Sequence, residues 1–355
     1  MNQAFRIPGR GRVNSARPVT FTFDGRSYTG YAGDTLASAL LAHGRHLMGR
    51  SYKYHRPRGP VTAGSDEPNA LVGVGKGPAL HTPNLRATQV EIHEGLTAVS
   101  QNRSPCLEFD LGSVNSLFSA MLPAGFYYKT FMWPKNFWDK VYEPIIRHAA
   151  GLGVAPTEPD PDSYAFRYDH CDVLVAGGGP SGLSAALAAA RTGARVILVD
   201  ETAEFGGSLL SDLQARIEGL SGPDWVRGVV GELSAMPNVR LMTRCSAFNY
   251  GPHNMIALNQ RLTDHLMTGA SGQPRERLWQ VRAKEVVLAT GALERPMVFE
   301  GNDRPGVMLA TAARTYLNRY GVLCGRKAVI VAANDRAYRV ALDLFEVVAS
   351  VTGRA

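Results

Sequence analysis

Long apolar runs, paired cysteines and lysine are what this 355-residue sequence has little of. No stretch of about 18 consecutive apolar residues occurs, and Met1 to Arg17 carries charges where a signal peptide has its apolar centre. A membrane span and an export signal are therefore not expected, and the cytoplasm is the expected location. Cys106, Cys171, Cys245 and Cys324 stand singly, without a CxxC pair or a Cys/His cluster, so no disulfide framework, zinc site or iron–sulfur site is encoded locally. Only seven of the 38 basic residues are lysine. The net charge of +7 is mild and forms no dense basic stripe, which speaks against nucleic acid as a partner. Arginine favours planar, bidentate contacts with carboxylates and phosphates. With 45% hydrophobic and 19% charged residues the composition is that of a globular chain with room for two or three domains.

What is present falls into segments. Residues 1–17 mix glycine and proline with arginine and read as an arm that orders on a partner. From Pro18, two β-branched and aromatic runs flank Asp24-Gly25, the composition of a tight hairpin turn. A helix follows over TLASALLAHG, with Asp34 as the expected N-cap and Gly44 as the C-terminal stop. A hairpin followed by a helix is the opening of a β-grasp, ferredoxin-like domain, placed at 18–103. Within it, Ala87 to His93 and the run after Glu94-Gly95 are expected to form a second hairpin. Residues 104–162 are a connector rich in aromatics (Phe118, Phe126, Tyr127, Tyr128, Phe131, Trp133, Phe137, Trp138), expected in a core or a subunit interface, and end in the linker GLGVAPTEPDPD.

A second architecture begins at 163 and is expected to run to 326. Cys171 to Ala176 is an apolar run suited to a buried parallel strand, with Asp172 placed at its sheet edge. It leads into Gly177-Gly178-Gly179-Pro180-Ser181-Gly182, a helical stretch, and a second strand that ends in Asp200-Glu201. This is a complete βαβ unit with the G-x-G-x-x-G pattern. Gly177 permits the tight turn, Gly179 lets a pyrophosphate approach the backbone, and Gly182 lets helix pack on strand. The phosphates would lie on the amides of the helix that starts near Pro180 and Ser181. Asp200 stands 23 residues after Gly177, where a ribose-binding acid is expected, and an acid at Asp200 or Glu201 would repel a 2′-phosphate. NAD or FAD is thus favoured over NADP. Gly206-Gly207 is placed to pass close to the pyrophosphate, and the strand EVVLATGA returns the chain to the nucleotide at Thr290 and Gly291. Together these features resemble the two-dinucleotide-binding flavoprotein superfamily. A strand, turn and helix from Lys327 look like a second nucleotide unit, but its turn AANDRA has no glycine, so no second cofactor is expected there. The unit at 327–355 holds one strand and one helix only, which points to the N-terminal part of a longer polypeptide.

The β-grasp start, the loop RSYKYHRPRGP (Arg50 to Pro60), the aromatic connector and the segment Asn302 to Val307 together resemble the alpha subunits of heterotetrameric sarcosine oxidases. Related amine and opine dehydrogenases often carry cluster-binding cysteines after the RPRG segment. Here that stretch, Val61 to Pro68, has none, and without thiolates the domain cannot hold a cluster locally. The resemblance implies an α/β fold: a cluster-less ferredoxin-like domain, then a Rossmann-like FAD/NAD(P)-binding domain with a truncated second nucleotide unit. It implies oxidative demethylation of sarcosine to glycine with oxygen and tetrahydrofolate, in a complex with beta, gamma and delta subunits. It also implies NAD at the glycine motif, FMN at the interface with the beta subunit, and no catalytic residue in this chain. An FAD-bearing amine or opine dehydrogenase subunit, and a non-catalytic dinucleotide-binding scaffold, are the competing readings.

Overall fold

A computed structural model describes residues 3–352 apart from Lys76, 122–124, 126–130, 150–152 and 267–271. The chain divides into two compact units, one of Met1–Pro161, Arg295–Tyr316 and Tyr320–Ala355, the other of Asp162–Glu294 with Leu317–Arg319. The architecture is mixed α/β, with a ferredoxin-like unit and a Rossmann-type unit.

Among the described residues the first unit holds a five-stranded sheet of order β2-β1-β5-β3-β4, made of β1 (Asn14–Phe23), β2 (Arg26–Ala32), β3 (Leu71–Val74), β4 (Thr82–Arg86) and β5 (Thr97–Ser100). The Asp24-Gly25 turn has both residues at positive φ, 49° and 75°, the twist a two-residue hairpin needs. Helix α1 (Leu36–Ala42) is buried on all sides and packs with Phe21, Phe23 and Tyr28 into the core. Its N-cap is Thr35 in a capping box with Ser38, not Asp34. The Asp34 carboxylate is fully buried and is taken instead by Arg6 at 2.6 Å, Ser38 Oγ at 2.7 Å and the Tyr31 amide at 2.9 Å. A carboxylate out of water needs such partners, and pairing outweighs capping here.

Arg6 also explains why the N-terminal arm is ordered on its own chain rather than awaiting a partner. The Phe5 amide donates to Ala42 O (3.0 Å), the Ile7 amide to Gly321 O (2.8 Å) and the Leu323 amide to Phe5 O (2.9 Å). The hairpin expected from Ala87 does not form, because 87–93 is turn and bridge while β5 pairs antiparallel with β3 and parallel with β1. The connector carries a 3-10 stretch, Leu111–Met121, and α2 (Glu143–Ala149). Its described aromatics are not core: Phe118, Trp133, Phe137 and Trp138 are exposed and Phe131 is half-buried. Phe126, Tyr127 and Tyr128 lie outside the described residues.

The second unit is built on a six-stranded sheet of order β8-β7-β6-β11-β10-β9 among the described residues. Its strands are β6 (Tyr164–Ala176), β7 (Val196–Val199), β8 (Val239–Met242), β9 (Cys245–Gly251), β10 (Met255–Arg261) and β11 (Glu276–Leu288). β6 runs back to Tyr164, well before the apolar run, because it pairs in parallel with β11 from Tyr164↔Glu276 to Ala176↔Leu288. Asp172 is therefore mid-strand, and Lys284 on β11 neutralises it at 2.8 Å. Helix α3 (Pro180–Arg191) buries Gly182, Leu183, Ala186 and Ala190, and α4 (Gly222–Ala235) buries Trp225, Val226, Val229 and Leu233 in the same apolar cluster.

After Glu294 the chain returns to the first unit, earlier than the expected boundary at 326. From α5 (Ala310–Tyr320), Ala312, Tyr316 and Tyr320 join the β-grasp core, with Leu309 and Val322. The strand expected at Lys327 is not formed. Val329 and Val331 are 91% and 65% exposed, and an apolar run without a neighbouring strand has no ladder to join. Only its helix α6 (Arg336–Thr352) is present. No helix among the described residues is long and apolar enough to cross a membrane.

Candidate dinucleotide site

The C-terminal ends of β6, β7 and β11 bring the glycine motif together within the second unit. Gly177 follows β6 at φ 106°, and its amide donates to Val199 O at 2.9 Å. A Cβ there would lie 2.2 Å from Ala289 O, so the turn needs glycine both for its dihedral and for its fit. A Cβ at Gly182 would lie 1.8 Å from Gly177 O, which is how closely α3 packs on the turn. Gly179 differs from both. It is the N-cap of α3 in an extended conformation, and a Cβ there would meet only Gly207 Cα, at 3.9 Å. No side chain caps this helix, and Pro180 brings no N–H. The amides of Ser181 and Gly182 belong to the first turn, where N–H groups have no acceptor within the helix.

Asp200 follows β7 directly. Its Oδ2 accepts the Gly178 amide at 2.7 Å, and its Oδ1 accepts the Thr202 amide at 2.8 Å and the Thr202 hydroxyl at 2.7 Å. Oδ2, with one contact, keeps lone-pair capacity for a further donor. The Gly206 amide donates to Gly178 O at 2.8 Å, and a Cβ on Gly207 would lie 2.8 Å from Gly179 Cα, so this loop lies along the phosphate turn. Glu201 is half-buried, and its carbonyl accepts Arg261 at 2.9 Å. Thr290 and Gly291 follow β11 and are exposed. Ala289 docks on Ala176 O at 2.8 Å beside the turn, whereas a Cβ at Gly291 would meet nothing within 4 Å.

The structure thus gathers Gly177, Gly179, Pro180, Ser181, Gly182, Asp200, Gly206 and Gly207 around one uncapped helix start. Glu201 and Gly291 stand at its margin. Thr202 and Phe205 also belong to this site, although the glycine motif does not mark them. Thr202 fixes the Asp200 carboxylate, which an Asp-x-Thr pattern after a strand could have signalled. Phe205 is buried against Gly178, where a Cβ would lie 2.2 Å from its ring. Cys171, on β6, has its thiol pushed up to about 11 by burial and lies outside the turn.

The open face above Gly179, the first-turn amides and the acid at the end of β7 fit the ADP portion of a dinucleotide. A 2Fe-2S cluster is not fitted in the same way by the first unit. Residues 16–103 contain no cysteine, and no group of three or more potential metal ligands occurs among the described residues.

Comparison with known proteins gives two family matches. Residues 16–103 match the 2Fe-2S iron-sulfur cluster binding domain and residues 172–285 match FAD dependent oxidoreductases. The chain is similar to the sarcosine oxidase subunit alpha of Rhizobium meliloti (strain 1021), at 56% identity over 99% of this chain and 36% of that protein. It is also similar to the sarcosine oxidase subunit alpha of Corynebacterium sp. (strain U-96), at 39% identity over 94% of this chain and 30% of that protein. It spans about a third of the length of these curated relatives. The solved L-proline dehydrogenase of P. horikoshii shares the fold, with a TM-score of 0.61 and 22% identity over 97% of this chain and 54% of that one. Over almost its whole length the chain is therefore similar to about a third of the sarcosine oxidase alpha subunits, and within it a stretch like 2Fe-2S domains but without cysteine precedes one like FAD dependent oxidoreductases.

Proposed function

We propose that the second unit binds a dinucleotide, with the pyrophosphate over Gly179 and the first-turn amides of α3 and the adenosine ribose on Asp200. The observation that carries this reading is the contrast among the three glycines of the motif. Gly177 and Gly182 are filled by neighbouring backbone, while Gly179 faces open space at an uncapped helix start. There the unpaired amides and the helix dipole attract the phosphate charge, and Asp200 accepts from the ribose hydroxyls while Thr202 and Gly178 hold it in place.

NAD is the first reading of the ligand, from the similarity to sarcosine oxidase alpha subunits. FAD is the second, favoured by the match of residues 172–285 to FAD dependent oxidoreductases. Either dinucleotide would supply a hydride-accepting ring when bound. The chain's own residues bind and orient the nucleotide, and none is assigned to catalysis. The wider role is the nucleotide-carrying alpha part of a cytoplasmic, sarcosine oxidase-like complex with beta, gamma and delta subunits and FMN at the interface with beta. That complex demethylates sarcosine to glycine with oxygen and tetrahydrofolate. Calorimetric titration of the purified chain with NAD and FAD tests the site. Saturable binding of one of them at one site per chain supports it, and failure of both to bind refutes it.

A further inference from the structure

The stretch Val61 to Ala70 lies within residues 16–103, which match the 2Fe-2S iron-sulfur cluster binding domain and contain no cysteine. Here it closes on itself around a single acid. Glu67 is 2% exposed. Its Oε2 accepts the amides of Val61 at 2.9 Å and Thr62 at 2.8 Å, and the Thr62 hydroxyl at 3.2 Å. Its Oε1 accepts the amides of Asn69 at 2.8 Å and Ala70 at 2.9 Å. One carboxylate thereby clasps the start of the loop to its end. From outside, the loop is held by the Leu309 amide on Val61 O (2.8 Å), the fully buried Tyr316 hydroxyl on Thr62 O (2.8 Å) and the Thr88 hydroxyl on Gly64 O (2.7 Å).

Backbone N–H groups that converge in a loop form an anion-binding concavity, and many iron–sulfur sites are built on such concavities. Hydrogen bonds to the cluster's sulfurs are part of how a protein holds and tunes it. In this chain the converging N–H groups are present and the thiolates are not. We propose that Glu67 is the built-in anion of this loop. Its carboxylate fills the concavity formed by the amides of Val61, Thr62, Asn69 and Ala70, substitutes structurally for the cluster of 2Fe-2S domains, and leaves the domain without a redox centre. It follows that the concavity becomes a site for a small free carboxylate once the Glu67 side chain is cut back. The bonds are charge-assisted and so among the stronger ones available to the loop. Their loss should open the loop locally while the sheet stays closed.

The test is hydrogen–deuterium exchange on the full chain, read from peptides that cover 61–70 and compared with peptides from β1 and β5. In E67A, exchange across 61–70 is expected to quicken at least about tenfold, the equivalent of ~1.4 kcal/mol, with the strand peptides unchanged. Formate or acetate is expected to restore protection in E67A and to leave the wild type unaffected. Wild-type exchange in E67A overturns the proposal. So does loosening that neither formate nor acetate reverses, which would give Glu67 a packing role only. Should E67A fail to fold, E67Q decides, since it keeps the shape but turns one acceptor into a donor. Local loosening in E67Q supports the proposal, and wild-type exchange in E67Q overturns it.

Discussion

Substitution of Gly179 by alanine separates the binding role of the glycine motif from its packing role. Gly179 is extended, at φ −74° and ψ −175°, so alanine adopts its backbone without strain. The added Cβ meets only Gly207 Cα, at 3.9 Å, an ordinary contact distance. The fold should therefore lose only the N-cap preference of glycine over alanine, about 0.5–1 kcal/mol. A pyrophosphate lying on the same face would meet the new methyl group. Forcing a methyl into a close-packed contact costs about 1–3 kcal/mol, or about 5- to 150-fold in Kd. G182A should behave in the opposite way, because its Cβ would lie 1.8 Å from Gly177 O and α3 would have to move off the turn. Its loss of stability should be about 3 kcal/mol or more. Urea unfolding of the ligand-free chains measures the first quantity, and calorimetric titration with NAD and FAD the second. A folded G179A that binds as tightly as the wild type would show that the phosphates do not cross Gly179, and would refute the reasoning.

Three further outcomes follow from single contacts. D200N turns one acceptor into a donor opposite the Gly178 or Thr202 amide, so it should cost about 1–3 kcal/mol in urea unfolding and weaken dinucleotide binding; unchanged stability would contradict the contacts seen. R6A leaves the fully buried Asp34 carboxylate without its cation, and a loss of about 3–5 kcal/mol is expected, whereas a loss under about 1 kcal/mol would show that the arm is not what neutralises Asp34. Burial pushes the Cys171 thiol up to about 11 and the Cys245 thiol up to about 12. Both pKa values lie above those of the unfolded chain, so this contribution is whole below about pH 8.5 and declines as pH rises from there toward the folded values, because the unfolded chain holds fewer protons. Unfolding midpoints should fall between about pH 8 and 10, and less steeply in C245A; equal slopes in the two proteins would count against the buried thiol as a cause.

The parts legible in the sequence were those governed by local backbone rules. Asp24-Gly25 marks its hairpin because the turn demands positive φ at both residues. The βαβ unit shows itself because strand, glycines, helix and acid must follow in one order. The misses lie where distant partners decide. Asp34 looks like an N-cap until Arg6, 28 residues away, takes its carboxylate. Phe5, Arg6 and Ile7 likewise tie the start of a glycine- and arginine-rich arm to its own chain. The apolar run after Lys327 has strand composition, yet a strand exists only with a neighbour to pair with. The run from Ala87 alternates as a strand does, but Leu36 and Ala37 donate to Val90 O and Ala87 O, so that backbone serves the start of α1 instead. Glu67 could not be singled out from spacing alone, since its five donors come from both ends of a loop.

The most direct test of the dinucleotide site is the nucleotide content of the purified chain after saturation with NAD and FAD and removal of the unbound ligand. The released cofactor is identified by chromatography and by the flavin absorbance of the protein. One adenine dinucleotide per chain is expected in the wild type, and a clear loss in folded G179A. A wild-type chain that retains neither NAD nor FAD, or a G179A chain that retains as much as the wild type, would contradict it.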